Sequence, residues 1–152
     1  MASSKNAESL RTYISENLKK GGTVYVLGGT AAVSDSIISG MTGCTIKRIG
    51  GANRYETNLN ILKEAGVKDE DMIVCTGTDF ADSLSASAAK KPILLVNKTL
   101  SDAQKEYLAA LSGDQYYIIG GEKAVSKTME TELKEYGQVE RIGGADRYET
   151  SV

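Results

Sequence analysis

The sequence predicts an α/β protein built of alternating β-α units, with a mainly parallel sheet flanked by helices. Three observations carry this expectation. Short apolar, β-branched runs alternate strictly with amphipathic stretches. The connections between them are a few residues long, as neighbouring elements of a layered α/β domain require. The pattern also recurs along the chain at an interval of about 93 residues.

In chain order, a helix is expected over 6–19, because residues 8–20 precede VYVLGG much as 100–112 precede YYIIGG. Strand 23–27 (TVYVL) runs into Gly28-Gly29, and a helix follows over 31–39. Strand 45–49 (TIKRI) runs into Gly50-Gly51. The helix over 54–65 opens on Asn53, an N-cap with Glu56 three residues on, and Gly66 falls where it should stop. Strand 72–75 (MIVC) follows the acidic turn Asp69-Glu70-Asp71. Asp79 and Asp82 make an acidic cap for a helix over 80–89. Pro92, the single proline, opens strand 93–96 (ILLV), where its missing N–H is tolerated. Ser101 with Gln104 caps a helix over 101–111, whose stripe is Ala103, Tyr107, Ala110 and Leu111 and whose stop is Gly113. Strand 116–119 (YYII), a helix over 124–136 ending near Gly137, and strand 138–142 (QVERI) complete the series. Asp146 and Glu149 then repeat the cap of Asn53 and Glu56.

Composition narrows the function. Of 152 residues, 41% are apolar and 25% charged, enough to bury a core and too apolar for a disordered tail. A net charge of −2 disfavours a nucleic-acid partner, which would select an excess of positive charge. The absence of histidine excludes Ser-His-Asp and Cys-His nucleophile systems, His-ligated haem and His-containing zinc sites. The two cysteines, Cys44 and Cys75, lie 31 positions apart, so they are neither a CxxC pair nor a disulfide framework; both read as buried free thiols. No apolar run approaches a membrane span, and the first residues lack the apolar stretch of a signal peptide.

The repeat is the strongest signal. VYVLGGTAAVSDSI at 24–37 recurs as YYIIGGEKAVSKTM at 116–129, an offset of 92. RIGGANRYET at 48–57 recurs as RIGGADRYET at 141–150, with nine of ten positions identical at an offset of 93. On this reading 48–140 is one complete repeat, 4–47 is the second half of a preceding one, and 141–152 starts a third. The whole is then expected to be cut from a longer tandem array whose copies are nearly independent domains.

In a parallel sheet every βα turn lies on the carboxyl edge, where helix N-termini point N–H groups and ligands ordinarily bind. The candidate turns are Gly28-Gly29, Gly50-Gly51, the turn at Gly77, Asn97-Lys98 and Gly120-Gly121. The glycines either cradle an anion or simply make tight turns. The dinucleotide and phosphate-loop patterns are both absent. Arg48, Arg54, Arg141 and Arg147 offer planar forks suited to phosphate or carboxylate, unless the adjacent Glu56 and Asp146 neutralise them internally. Lys90, Lys91 and Lys98 bracket strand 93–96 as the one local concentration of cations. Asp79 and Asp82, with Thr76 and Thr78 near, would suit a metal, although capping explains both acids more simply. No catalytic residue is singled out, and neither a metal nor a cofactor is expected.

The ordered series RIGGANRYET, VCTGTDFADSLSAS, PILLV, YYIIGGEKAVS and RIGGADRYET closely resembles the cell-wall-binding repeat type 2 family of Gram-positive, especially clostridial, surface proteins. All of 48–140 follows the family pattern. The resemblance implies a non-enzymatic α/β anchor. Members usually carry three tandem copies around a pseudo-threefold axis, and hold surface-layer proteins, adhesins, autolysins or proteases on the wall. They do so through an anionic, teichoic-acid-like secondary polysaccharide. The family's PILL motif falls on Pro92, Ile93, Leu94 and Leu95, its RYET motif on Arg54–Thr57 and Arg147–Thr150, and its FADS motif on Phe80–Ser83. The implied partners are this polymer, neighbouring repeats of the array and further copies of the chain itself. Two other readings stand beside it: a nucleotide- or metal-dependent α/β enzyme using the carboxyl edge through Asp79 and Asp82, and a packing module that mediates self-assembly.

Overall fold

A computed structural model of the chain describes residues 6–68, 70–78, 86–111 and 115–143. In order these residues form α1 (Ala7–Asn17), β1 (Thr23–Leu27), α2 (Asp35–Ile38), β2 (Thr45–Ile49), α3 (Arg54–Ala65), β3 (Met72–Thr76), β4 (Ile93–Val96), α4 (Asp102–Ala109), β5 (Gln115–Ile119), α5 (Lys127–Leu133) and β6 (Gln138–Ile142). The chain divides into two units, Met1–Ile61 and Leu62–Val152.

In the first unit β1 and β2 pair in parallel, with Thr23 opposite Thr45 and Leu27 opposite Ile49. The ladder is closed at its ends by Thr45 N–H donating to Gly22 O (2.9 Å) and Gly28 N–H donating to Ile49 O (2.7 Å). Val26, Ile37, Ile49 and Leu59 are buried.

The second unit holds a four-stranded sheet in the order β4-β3-β5-β6, every pair parallel. β3 is buried at all five positions, as a central strand covered on both faces must be, which is why its sequence is a continuous apolar run. Ile73, Cys75, Ala86 and Ile119 form a cluster with Ile93, Leu95 and Tyr117 packed against it. Met72, Val74, Leu94, Val96, Tyr116 and Ile118 alternate onto the opposite face and are also buried, as are Leu108, Met129 and Leu133 of α4 and α5.

The predicted strands stand, with β3 and β5 each longer by one residue. Two helices are much shorter than expected. Ala32 and Val33 both donate to Gly29 O, and Ser34 stays extended, so α2 begins only at Asp35. The same device delays α5: Ala124 and Val125 donate to Gly121 O, and Ser126, extended, accepts from Met129 N–H. α5 ends at Leu133, four residues before Gly137. The expected helix over 80–89 falls largely outside the described residues, as do Gly113, Asp146 and Glu149.

The caps follow the sequence closely. Asn53 Oδ1 accepts from the N–H groups of Tyr55 and Glu56, both at 3.0 Å. Glu56 Oε2 reaches back to Ala52 N–H at 2.9 Å. Ser101 and Gln104 make a reciprocal capping box. The buried face of α4 differs from the expected stripe: Gln104, Tyr107 and Leu108 are buried while Ala103 and Ala110 are exposed. Gln104 can be buried because its Nε2 donates to Leu95 O at 2.9 Å, a partner that apolar periodicity does not reveal.

Candidate functional site: the carboxyl edges of the two sheets

In the second unit the chain leaves β3 for β4 on one side and leaves β5 for β6 on the other. The crevice of an open α/β sheet lies where such connections diverge, here at the carboxyl ends of β3 and β5. It is bounded by Thr76, Gly77 and Thr78 on one strand and by Gly120 and Gly121 on the other. Thr76 Oγ1 and Thr78 Oγ1 share a hydrogen bond of 2.8 Å, and Thr78 N–H also donates to Thr76 Oγ1. Gly77 N–H donates to Val96 O at 3.0 Å.

The Gly-Gly turn after β5 is locked from within. Gly120 sits at φ +112°, a conformation that favours glycine. Its N–H donates to Ile142 O (3.0 Å), and its carbonyl accepts from Arg141 Nη1 (2.9 Å). Arg141 also donates through Nε and Nη2 to Glu130 Oε2, at 3.0 and 2.8 Å. Glu130 Oε1 accepts from Lys134 Nζ at 3.0 Å. The hydrogen bonds of Lys134 and Arg141 hold the Glu130 carboxyl below its ordinary range.

The first unit repeats this arrangement. Gly28 sits at φ +110°, its N–H donates to Ile49 O, and its carbonyl accepts from Arg48 Nη1 at 2.9 Å. Arg48 Nη2 pairs with Asp35 Oδ1 at 2.9 Å. Even the close approach recurs. A Cβ on Gly50 would stand 3.0 Å from Gly28 C, and one on Gly143 would stand 2.8 Å from Gly120 C.

The acids that engage Arg48 and Arg141 are therefore Asp35 and Glu130, while Glu56, the sequence-neighbour candidate, reaches Ala52 N–H to cap α3. Arg54 is exposed at the start of α3; Arg147 and the second RYET motif lie outside the described residues, with Asp79, Asp82 and the FADS motif. Gly29 and Gly51 are half-buried beside Gly28 and Gly50.

The lysines do not form one patch. Lys90 and Lys91 precede β4 at the amino edge, whereas Lys98 follows it at the carboxyl edge, with the four-residue strand, about 13 Å long, between them. Lys91 pairs with Asp71 at 2.7 Å, and this hydrogen bond raises its pKa. Its ammonium also lies 5.7 Å from the Tyr117 ring centre. Lys90 is exposed and takes a left-handed φ of +54°. Within the PILL segment Leu94 is fully buried, and Pro92, Ile93 and Leu95 are half-buried. Cys75 is buried and Cys44 half-buried, both as free thiols.

Two cations escaped the sequence reading. Arg11 and Lys20 line a cavity of about 420 Å³ in the first unit, with Ser15, Leu18, Met41 and Cys44. Arg11 donates to Ile37 O and Ser36 O. The helical face bearing Arg11 and Ser15 was legible; the loop that closes the cavity was not. Among the described residues no three cysteine or acidic side chains gather as a metal site would require, and no helix is long and apolar enough to cross a membrane.

This geometry defines a parallel α/β module with internally locked strand-end turns. The family follows from comparison: residues 48–130, more than half of the chain, match Cell wall binding domain 2 (CWB2), and the chain belongs to that family. It is 34% identical over 134 residues to the amidase enhancer of Bacillus subtilis, a match covering 85% of this chain and 18% of that protein. It is 34% identical over 114 residues to the N-acetylmuramoyl-L-alanine amidase LytC of the same organism, covering 71% of this chain and 23% of the relative. The chain thus spans about a fifth of these relatives' length. Its fold is similar to that of Cwp6 from Clostridium difficile, with a TM-score of 0.82, 25% identity, and coverage of 95% of this chain and 25% of that one.

Proposed function

We propose that this chain is a non-catalytic anchor that retains a surface protein on the Gram-positive wall by binding an anionic, teichoic-acid-like secondary polymer. The observation that carries the reading is the family match over 48–130, which includes the strand-end turns of β2, β3, β4 and β5. The matches to the amidase enhancer and the amidase cover only about a fifth of those proteins' length. That distribution supports a module joined to differing activities. The recurring turn supports 48–140 as one repeat, with neighbouring repeats on either side.

Arg48 and Arg141 act as positioning residues, since each is engaged by a glycine carbonyl and an acid. Direct contact with the polymer falls to exposed cations: Lys98 at the carboxyl edge, Arg54 at the start of α3, and Lys90. A net charge of −2 gives little long-range attraction, so each contact is weak and salt-sensitive. A repeating polymer meeting linked modules gains avidity of roughly 100- to 10,000-fold.

The test is co-sedimentation of the chain with purified walls that retain their secondary polymer and with walls stripped of it. Binding should require the polymer and fall with salt. Lys98→Glu should weaken it about two- to fivefold. Equal sedimentation with stripped walls refutes the reading. Thermal stabilisation by magnesium with a nucleotide would favour an enzyme instead.

A further inference from the structure

We infer that Gln104 is a positioning residue for polymer binding. Its buried amide holds the turn Asn97-Lys98-Thr99 in the form that presents the Lys98 ammonium to an anionic group of the wall polymer. This rests on the anchoring function proposed above. The starting observation is burial. Among the described residues Gln104 and Thr76 are the buried polar side chains, and Gln104 is only 3% exposed. A buried amide is tolerated when its hydrogen bonds are made, and both ends of this one are engaged. Oε1 accepts from Ser101 N–H (3.1 Å) and from Ser101 Oγ (3.3 Å). Nε2 donates to Leu95 O (2.9 Å).

Capping α4 requires only the first end. A capping box needs an acceptor three residues into the helix, and glutamate serves there as well as glutamine. At α3 the acceptor is indeed a glutamate, with Glu56 Oε2 accepting from Ala52 N–H. The Gln104 donor therefore does something the cap does not need. It ties the first turn of α4 back to β4 across nine residues, closing the chain around the turn between them.

The neighbouring backbone is held in the same way. Val96 O accepts from Gly77 N–H (3.0 Å). Leu100 N–H donates to Glu132 Oε2 (3.4 Å), and Glu132 Oε1 is fixed by Lys105 Nζ (2.8 Å). The two carbonyls that enter the turn and the two N–H groups that leave it thus all have partners. Val96 and Leu100 are buried, while Asn97, Lys98 and Thr99 between them are exposed. Lys98 stands at the centre of this clamped turn on the carboxyl edge, and it makes no ion pair with any described residue. A loose turn would have to be ordered on binding, at a cost in affinity. The clamp orders it beforehand.

The test is a double-mutant cycle between Gln104→Met and Lys98→Gln, read as co-sedimentation with purified walls that retain their polymer or have been stripped of it. Methionine is about as long as glutamine and makes neither hydrogen bond. Lys98→Gln should weaken binding about two- to threefold. Gln104→Met should weaken it about twofold when Lys98 is present and not at all when it is absent. Amide exchange at Ser101 should quicken about fivefold in Gln104→Met. Ile73→Val, at the amino end of β3, controls for lost stability and should bind as wild type does. Ser101→Ala loosens the same clamp at an exposed residue, so the chain folds, and should show a smaller loss that likewise needs Lys98. Polymer-dependent binding that is indifferent to Gln104, or a loss of the same size with and without Lys98, overturns this inference alone. Wild-type binding that does not need the polymer overturns the anchoring function with it.

Discussion

Replacing Arg141 by methionine tests the lock at the end of β5. The change keeps the aliphatic stem and removes the bonds to Gly120 O and Glu130. Hydrogen bonds to charged groups contribute about 1.5–3 kcal/mol each. Here two of the three converge on one carboxylate oxygen, so they do not add. Lys134 remains to pair with Glu130, which limits the penalty of a stranded charge. The side chains of Arg141 and Glu130 are only 19% and 22% exposed, so screening removes little. The expected loss is about 2–3 kcal/mol. Arg48→Met breaks the equivalent lock, but Asp35 is 74% exposed, and that pair contributes no more than about 1 kcal/mol. The loss there should be about 1 kcal/mol, dominated by the bond to Gly28 O. Urea unfolding followed by circular dichroism measures both, and amide exchange assigns the Arg141 effect to residues 115–119 and 138–142. The pH dependence has a definite sign. Because the folded Glu130 carboxyl is held below its ordinary value, its contribution is full above the ordinary carboxylate range and is lost as pH falls through the lowered folded value. The difference between wild type and Arg141→Met should therefore shrink in acid. Equal losses for the two arginines, or additivity of Arg141→Met with Glu130→Gln, would refute the reasoning.

Leu94→Ala should cost about 2–5 kcal/mol, because Leu94 is fully buried in the sheet that β4 edges; calorimetry of the two chains measures it. Gly143→Ala should lose about 1–3 kcal/mol, since its Cβ meets backbone atoms of Gly120 at 2.8 Å that have no rotamer to yield. Its amide exchange should quicken in β5 and β6 first. A thiol reagent should titrate Cys44 in the folded chain, and Cys75, which has no exposed surface, only in urea.

The central strand was legible because burial on both faces leaves a local signature, the continuous apolar run MIVC; the edge strand QVERI carries no apolar alternation, since its inward positions are Val139 and Arg141 and Ile142 is exposed. The caps were legible for the same reason, as Asn53 and Ser101 act within three residues of themselves. What the sequence hid is non-local. Arg141 meets Glu130 across 11 residues and Gly120 across 21, distances at which sequence adjacency pointed instead to Glu56 and Asp146. Gln104 is buried by virtue of one carbonyl, Leu95 O. The lysines around β4 look like a cluster in one dimension, and the strand itself separates them.

The near-identity of the two RIGG segments has a physical explanation that does not require a ligand. Arginine must span from one strand to the carbonyl that ends its neighbour, as Arg48 and Arg141 do. The glycine two residues later must lack a Cβ because that same turn passes within about 3.0 Å at Gly50 and 2.8 Å at Gly143. In the first copy Asn53 must then cap α3, and Glu56 must return to Ala52 N–H. Each demand restricts a position to one or two residue types, and together they fix most of the motif by folding alone. Recurrence of the motif is therefore no sign that Arg48 or Arg141 touches a polymer; on the function proposed above, that contact falls instead to the exposed cations Lys98, Arg54 and Lys90.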